Sequence, residues 1–231
     1  MKKVLIIEDD REISDLLQIH LRDFDCDVTK AFDGRTGLNM VLGNSFDLII
    51  LDVMLPELDG FEVCKEVRKR ENYTPVLMLT SKSEEMDKVL GLEFGADDYI
   101  TKPFGIREFI ARVNAVFRRS EVNSKVENEL KSLDFKSLKI DGAKRIVLKD
   151  KNRIELTPKE FDLLYLLASS PGKTYSRVNL LNQIWGYQYG GYEHTVNSHI
   201  NRLRTKIEKD INNPVYILTT WGIGYRFNDQ L

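Results

Sequence analysis

Cysteine is scarce in this 231-residue chain: Cys26 and Cys64 are the only two, and they form no CxxC pair. That excludes a disulfide framework and a cysteine-based zinc site, and it suits a reducing interior. Long apolar runs are missing too. No stretch approaches the roughly 18–20 residues that a membrane-spanning helix needs. Proline numbers only 6, and neither a low-complexity tract nor an internal repeat is visible. Met1-Lys2-Lys3-Val4 leads straight into a strand-like segment without a small-residue cleavage site, so the expectation is a cytoplasmic protein with no membrane partner. What is present is enough apolar material for a core, 42% of residues with 10% aromatic. The length suits one large domain or two small ones.

Charge is divided unevenly. Residues 1–119 hold 17 Lys/Arg against 23 Asp/Glu, whereas residues 120–231 hold 17 against 13. A basic second half behind an acidic first half suggests that the second half meets a polyanion.

The first half alternates aliphatic runs with amphipathic stretches. Val4–Ile7, Leu48–Leu51 and Val76–Leu79 are nearly unbroken aliphatic segments, the pattern of parallel strands buried on both faces. Weaker strands are expected near Asp27–Lys30 and Asp98–Thr101. Helical spacing shows at Ile13/Leu16/Leu17/Leu21, Phe61/Cys64/Val67, Met86/Val89/Leu90 and Ile106/Phe109/Ile110/Val113/Phe117. Five strands with helical stretches between them predict a doubly wound α/β sheet. Residues 120–132 are polar and read as a linker. Residues 133–156 then alternate apolar and polar, as a small antiparallel meander does. Thr157-Pro158-Lys159-Glu160 is a capping box that opens a helix. Two further helices, about 176–186 and 193–209, and a hairpin through Tyr216–Leu218 and Tyr225–Phe227 have the outline of a winged helix.

In an open parallel sheet, chemistry gathers at the carboxyl ends of the strands. Glu8-Asp9-Asp10 follows the first strand, Asp52 the third, Thr80 the fourth and Lys102 the fifth. If the first and third strands are neighbours, Glu8, Asp9 and Asp52 converge. Converging carboxylates repel unless a cation joins them, and a hard divalent ion such as Mg²⁺ takes oxygen ligands. A carboxylate there could act as a nucleophile toward a phosphoryl group, with Thr80 hydrogen-bonding its oxygens and Lys102 neutralising charge. Each acid alone would pass for a loop residue. The set placed strand by strand is what points to phosphoryl chemistry.

The segments Leu5–Asp10, Leu51–Gly60, Leu79–Lys82 and Asp97–Phe104 resemble the receiver domain of two-component response regulators over about residues 1–119. Leu156–Leu164, Ile184–Gly186, Thr195–Arg204 and Gly222–Phe227 resemble the effector domain of the OmpR/PhoB class. The fold class this implies is a (βα)5 flavodoxin-like α/β receiver with a parallel sheet, joined to an α+β winged-helix DNA-binding domain. The boundaries are 1–119 for the receiver, 120–132 for the linker and 133–231 for the effector.

The resemblance implies that Asp52 takes a phosphoryl group from a sensor histidine kinase. Asp9, Asp52 and the backbone carbonyl of Met54 would ligate Mg²⁺, with Glu8 acting through water. Thr80 and Tyr99 would form the switch pair, Tyr99 rotating inward, and Lys102–Pro103 would be cis. Phosphorylation would drive a homodimer through Lys88, Glu93, Asp97, Asp98, Glu108, Arg112 and Arg119, around an apolar centre such as Val89 and Leu92. RNA polymerase would be a further partner.

The helix 193–209 carries Val196, Ile200, Leu203 and Ile207 on one face. Asn197, Ser198, Asn201, Arg202 and Arg204 are expected on the other, facing the major groove of double-stranded promoter DNA. By resemblance, Arg202 and its neighbours read bases, while Trp185, His199 and Arg204 lie near the DNA backbone; His194 and Trp221 complete the DNA-facing set. Asn197, Ser198 and Asn201 differ from the Asp, Val and Arg common in the family, and Trp221 stands where an Arg is frequent.

Two other classes fit parts of the chain. An aspartate-nucleophile phosphatase would share the acidic pocket, but such enzymes carry a second Asp where this chain has Met54. A constitutive DNA-binding module with a vestigial receiver would not keep Glu8, Asp9, Asp52, Thr80 and Lys102 together. Self-catalysed phosphotransfer and dephosphorylation are expected of the receiver, without stand-alone metabolic activity.

Overall fold

A computed structural model describes residues 1–70, 72–81, 95–122, 131–186 and 194–231, the side chains of 118–122 excepted. The expected helix at Met86/Val89/Leu90 lies outside these residues. So do Lys82, Lys88, Glu93, Leu92, most of the linker and the Arg119 side chain. The chain forms two compact units, Met1–Val116 and Phe117–Leu231.

The first unit is a five-stranded parallel sheet of β1 (Lys2–Ile7), β2 (Cys26–Ala31), β3 (Leu48–Asp52), β4 (Val76–Thr80) and β5 (Asp98–Thr101), in the order β2-β1-β3-β4-β5. Every residue of β3 and β4 is buried, which explains their unbroken aliphatic character. Three helices are opened by an Asp whose carboxylate accepts otherwise unpaired N–H groups. Asp10 caps α1 (Arg11–Arg22), Asp33 caps α2 (Gly34–Gly43) and Asp59 caps α3 (Gly60–Lys69). The last helix of this half, α4, spans Ile106–Val122.

Helix α2 had no readable periodicity in the sequence. Its Gly37 lies so close to β1 that a Cβ would strike the Ile7 side chain, so packing demands a residue that weakens the helical signal. Gly60 is similarly constrained, since a Cβ there would collide with the Asp52 carbonyl oxygen. The amino end of α3 therefore sits directly against the end of β3.

The order turns at β1/β3, where Val4 pairs with Leu48 and Ile7 with Leu51. The residues after these two strands therefore emerge side by side at the switch point.

In the second unit, β6 (Ser132–Phe135), β7 (Leu138–Asp141), β8 (Ile146–Lys149) and β9 (Asn152–Ile154) form an antiparallel meander. Helices α5 (Pro158–Ala168), α6 (Arg177–Trp185) and α7 (His194–Ile207) follow. Thr157 and Glu160 make the expected reciprocal capping box. The terminal hairpin, β11 (Ile217–Thr220) with β12 (Gly224–Phe227), gains a third strand, β10 (Tyr175–Ser176), in the order β10-β12-β11. Two residues give no periodicity, so β10 could not be read from sequence. Leu164, Leu167, Leu180, Val196, Ile200, Leu203, Ile207 and Phe227 share one core. Burying each such side chain contributes about 1.5–3 kcal/mol.

Candidate functional site: an acidic pocket and a recognition helix

Glu8, Asp9 and Asp52 have carboxylate oxygens within 4.8 Å of one another. Glu8 and Asp52 are buried, while Asp9 is exposed. Lys102 enters from the end of β5, where its backbone N–H donates to the Thr80 carbonyl at 2.7 Å. Its ammonium donates to both Glu8 oxygens at 2.8 Å and to Asp52 Oδ2 at 2.7 Å. The other Asp52 oxygen accepts the Met54 N–H at 3.2 Å. Thr80 is buried at the end of β4.

Burial pushes the Glu8 pKa up, Lys102 pulls it back and Asp52 adds repulsion, so it stands at about 7. Burial works to lower the Lys102 pKa, but its bonds to Asp52 and Glu8 prevail and the net shift is upward. One ammonium facing three carboxylates leaves net negative charge in a desolvated site. An all-oxygen donor set with that charge fits a hard divalent cation.

The Lys102–Pro103 bond is cis. The Tyr99 ring is buried among core residues.

Of the expected intersubunit charges, the described Asp97, Asp98, Glu108 and Arg112 are engaged within the chain. Asp97 is buried, pairs with Arg68 at 2.8 Å and accepts the Val76 N–H at 3.0 Å. Arg112 joins Asp98 at 3.1 Å to Glu108 through its own guanidinium. Asp97 therefore clamps α3 to the sheet and is not part of an exposed face.

Helix α7 requires a larger correction. Its apolar stripe is buried as expected, but so are Ser198, His199 and Arg204, because α7 is packed on several sides. Arg204 donates to the Ile217 carbonyl at 3.1 and 2.7 Å and to Thr219 Oγ1 at 2.9 Å, tying the helix to β11. His199 Nδ1 lies 2.8 Å from the Thr195 carbonyl, and the ring meets Trp185 edge-on at 4.9 Å. Trp185 is itself buried, with the Lys159 ammonium 4.9 Å from its ring. Arg202, expected to read bases, turns toward buried Glu160 at 3.7 Å, and Lys206 reaches the same carboxylate at 2.7 Å. His194 and Asn197 are half-buried, Asn201 is exposed, and Trp221 at the hairpin tip is 90% exposed.

Residues that the sequence did not single out complete the unit. Glu208 accepts the N–H groups of Val215, Tyr216 and Ile217, fixing the entry to β11. Arg177 and Tyr225 converge on Asn197.

A doubly wound sheet with this acid–lysine pocket, followed by a winged helix, defines a receiver joined to a DNA-binding effector. Residues 4–114 match the family described as response regulator receiver domain, and residues 151–227 match the family described as transcriptional regulatory protein, C terminal. The chain belongs to the OmpR/PhoB response regulators. It is 44% identical over 234 residues to the alkaline phosphatase synthesis transcriptional regulatory protein PhoP of Bacillus subtilis (strain 168), covering 99% of this chain and 97% of that protein. Among solved structures, the Thermotoga maritima OmpR/PhoB homologue DrrB is 34% identical over 99% of both chains, with a TM-score of 0.52. A RitR mutant is 26% identical over 99% of both chains, with a TM-score of 0.77. Among the described residues no helix is long and apolar enough to cross a membrane.

Proposed function

We propose that Asp52 is the phosphoacceptor of a switch that controls promoter binding, as the likeness to a transcriptional regulatory protein suggests. The observation that carries this is the Lys102 ammonium shared between Asp52 and Glu8 at the ends of β3 and β1. Glu8, Asp9, Asp52 and the Met54 carbonyl would hold Mg²⁺, which when bound neutralises phosphoryl oxygens.

One Asp52 carboxylate oxygen attacks phosphorus in the phosphohistidine of a sensor kinase. The P–O bond forms as the P–N bond breaks, and the histidine nitrogen leaves with its electron pair. Lys102 exchanges its carboxylate contacts for the new phosphoryl oxygens, and the Thr80 hydroxyl donates to another. In self-catalysed dephosphorylation a water oxygen attacks the phosphorus and the P–O bond to Asp52 breaks. The carboxylate leaves with the electron pair and inorganic phosphate is released, with Lys102 and Thr80 holding the same phosphoryl oxygens.

The phosphorylated receiver dimerises through the face of β5 and α4, where Asp98, Glu108 and Arg112 can exchange partners across a two-fold axis. The dimer binds double-stranded promoter DNA through α7 and the β11–β12 hairpin, with RNA polymerase as a further partner. The setting is cytoplasmic.

Incubation with acetyl phosphate and Mg²⁺ should add one phosphate by intact mass, and the labelled protein should sediment as a dimer. Asp52→Asn should do neither. Full labelling of that variant would overturn the assignment, and a labelled monomer would overturn the dimer face. A wild-type protein that takes no phosphate yet binds DNA would return the reading to a constitutive module.

A further inference from the structure

Asn197 stands on α7 one turn before exposed Asn201, and two donors hold it from behind. Arg177, the first residue of α6, donates its Nε–H to Asn197 Oδ1 at 3.0 Å. Tyr225 on β12 donates its hydroxyl to the same oxygen at 2.9 Å. A guanidinium can only donate, so the atom that faces Arg177 must be the amide oxygen. The orientation of the amide is thus set by chemistry.

Arg177 is itself fixed. Its Nη1 donates to the Ile223 carbonyl at 3.5 Å, and its guanidinium lies 5.3 Å over the Tyr225 ring. An amide oxygen has two lone pairs, and both are occupied here. Among the described residues Asn197 Nδ2 has no hydrogen-bond partner. The half-buried side chain therefore offers DNA two N–H donors and no acceptor.

We infer that Asn197 reads a guanine in the major groove, and that Arg177 and Tyr225 are the positioning residues that make it do so. This deepens the DNA-binding reading above and rests on it. Asparagine ordinarily pairs with adenine by donating to N7 while its oxygen accepts from the N6 amine. With its oxygen occupied, Asn197 cannot complete that pair, and its amine would meet the N6 amine donor to donor. Guanine presents two adjacent acceptors, N7 and O6, to the two N–H groups. Thymine offers the single O4, and cytosine offers only a donor. The other cations expected to read bases on this helix are committed elsewhere, Arg202 to Glu160 and Arg204 to β11. That leaves amides to discriminate.

The test is selection of bound duplexes from random DNA with the phosphorylated full-length protein. Wild type should enrich guanine at one position of each half-site. Asn197→Asp keeps the shape but replaces donors with an acceptor. It should lose that guanine and turn to cytosine, a change of about tenfold or more in preference at that position alone. Tyr225→Phe frees one lone pair, so adenine should rise at the same position while the rest of the site stays constant.

If Asn197→Asp fails to melt cooperatively, Tyr225→Phe decides the question alone. Unchanged preference at every position in both variants would overturn the role of Asn197. A response to Asn197→Asp with none to Tyr225→Phe would overturn the orientation that favours guanine. If wild type enriches no sequence, the DNA-binding reading itself fails, which is a distinguishable result.

Discussion

Single side chains in this protein derive their meaning from what they must neutralise or leave bare. Lys102 is one cation among three carboxylates, and that imbalance is why the pocket suits a divalent ion. Trp221 is the opposite case: it is 90% exposed at the hairpin tip, with Ile223 54% exposed nearby. Placed at the duplex edge, an indole offers apolar contact with sugar and no charge for phosphate. Trp221→Arg should therefore tighten DNA binding and steepen the fall of log K with log salt by about one unit, since each neutralised phosphate releases about one counterion. Titration of one duplex at several salt concentrations reads both quantities. An unchanged slope would mean that the hairpin tip does not approach the backbone.

At the scale of elements, α5 and α7 are joined by a buried carboxylate. Burial alone would raise the Glu160 pKa. The charges of Arg202 and Lys206, the Lys206 hydrogen bond and the Thr157 N–H outweigh it, so the pKa is held below its ordinary value of 4.5. A depressed carboxylate pKa stabilises the folded state above the unfolded value, and that stability is lost as pH falls through the folded value. Glu160→Gln should thus lower the melting temperature of the second unit most above pH 4.5, and the two curves should converge as the pH drops below it. Each kcal/mol lost corresponds to about 4–8 °C in a domain of this size. Thermal melts of both proteins across that range check it; a gap independent of pH would place the effect in the cap geometry instead. The same tie explains why Arg202 could not be placed from sequence. Its helical position faces outward by periodicity, but a buried acid on another helix draws it in.

For the whole molecule, the two units separate the chemistry of the switch from that of the target. In the first unit, the Glu8 pKa of about 7 lies above its ordinary 4.5. The folded state therefore favours protonated Glu8, and the stability this contributes is fully present below pH 4.5 and lost as pH rises toward 7. A divalent cation binds the deprotonated acids. Mg²⁺ should raise the melting temperature of the first unit more at pH 8 than at pH 6 and leave that of the second unit unmoved, because a ligand stabilises only the fold that binds it. Calorimetry with and without chelator distinguishes these outcomes. Equal stabilisation at both pH values would mean that Glu8 does not take part in holding the metal.

Much of this was legible in the order of residues. Short, unbroken aliphatic runs rich in Ile, Val and Leu read as strands buried on both faces, and a polar residue directly after such a strand emerges at the carboxyl edge of the sheet. That is why the convergence of Glu8, Asp9 and Asp52 was legible in the sequence. Capping residues such as Thr157 with Glu160 mark helix starts for an equally local reason. Tertiary structure alone decided which charges remain available. Asp97, Arg202 and Arg204 belong to residue types that normally lie in water, yet each is drawn toward a partner far away in sequence: Arg68, Glu160 and the Ile217 carbonyl. It also decided which atom of Asn197 faces outward, because that depends on Arg177 and Tyr225 arriving from two other elements. Periodicity reports which side of a helix meets the core. It carries no record of a single distant partner, and in this protein such partners determine which side chains of α7 stay available.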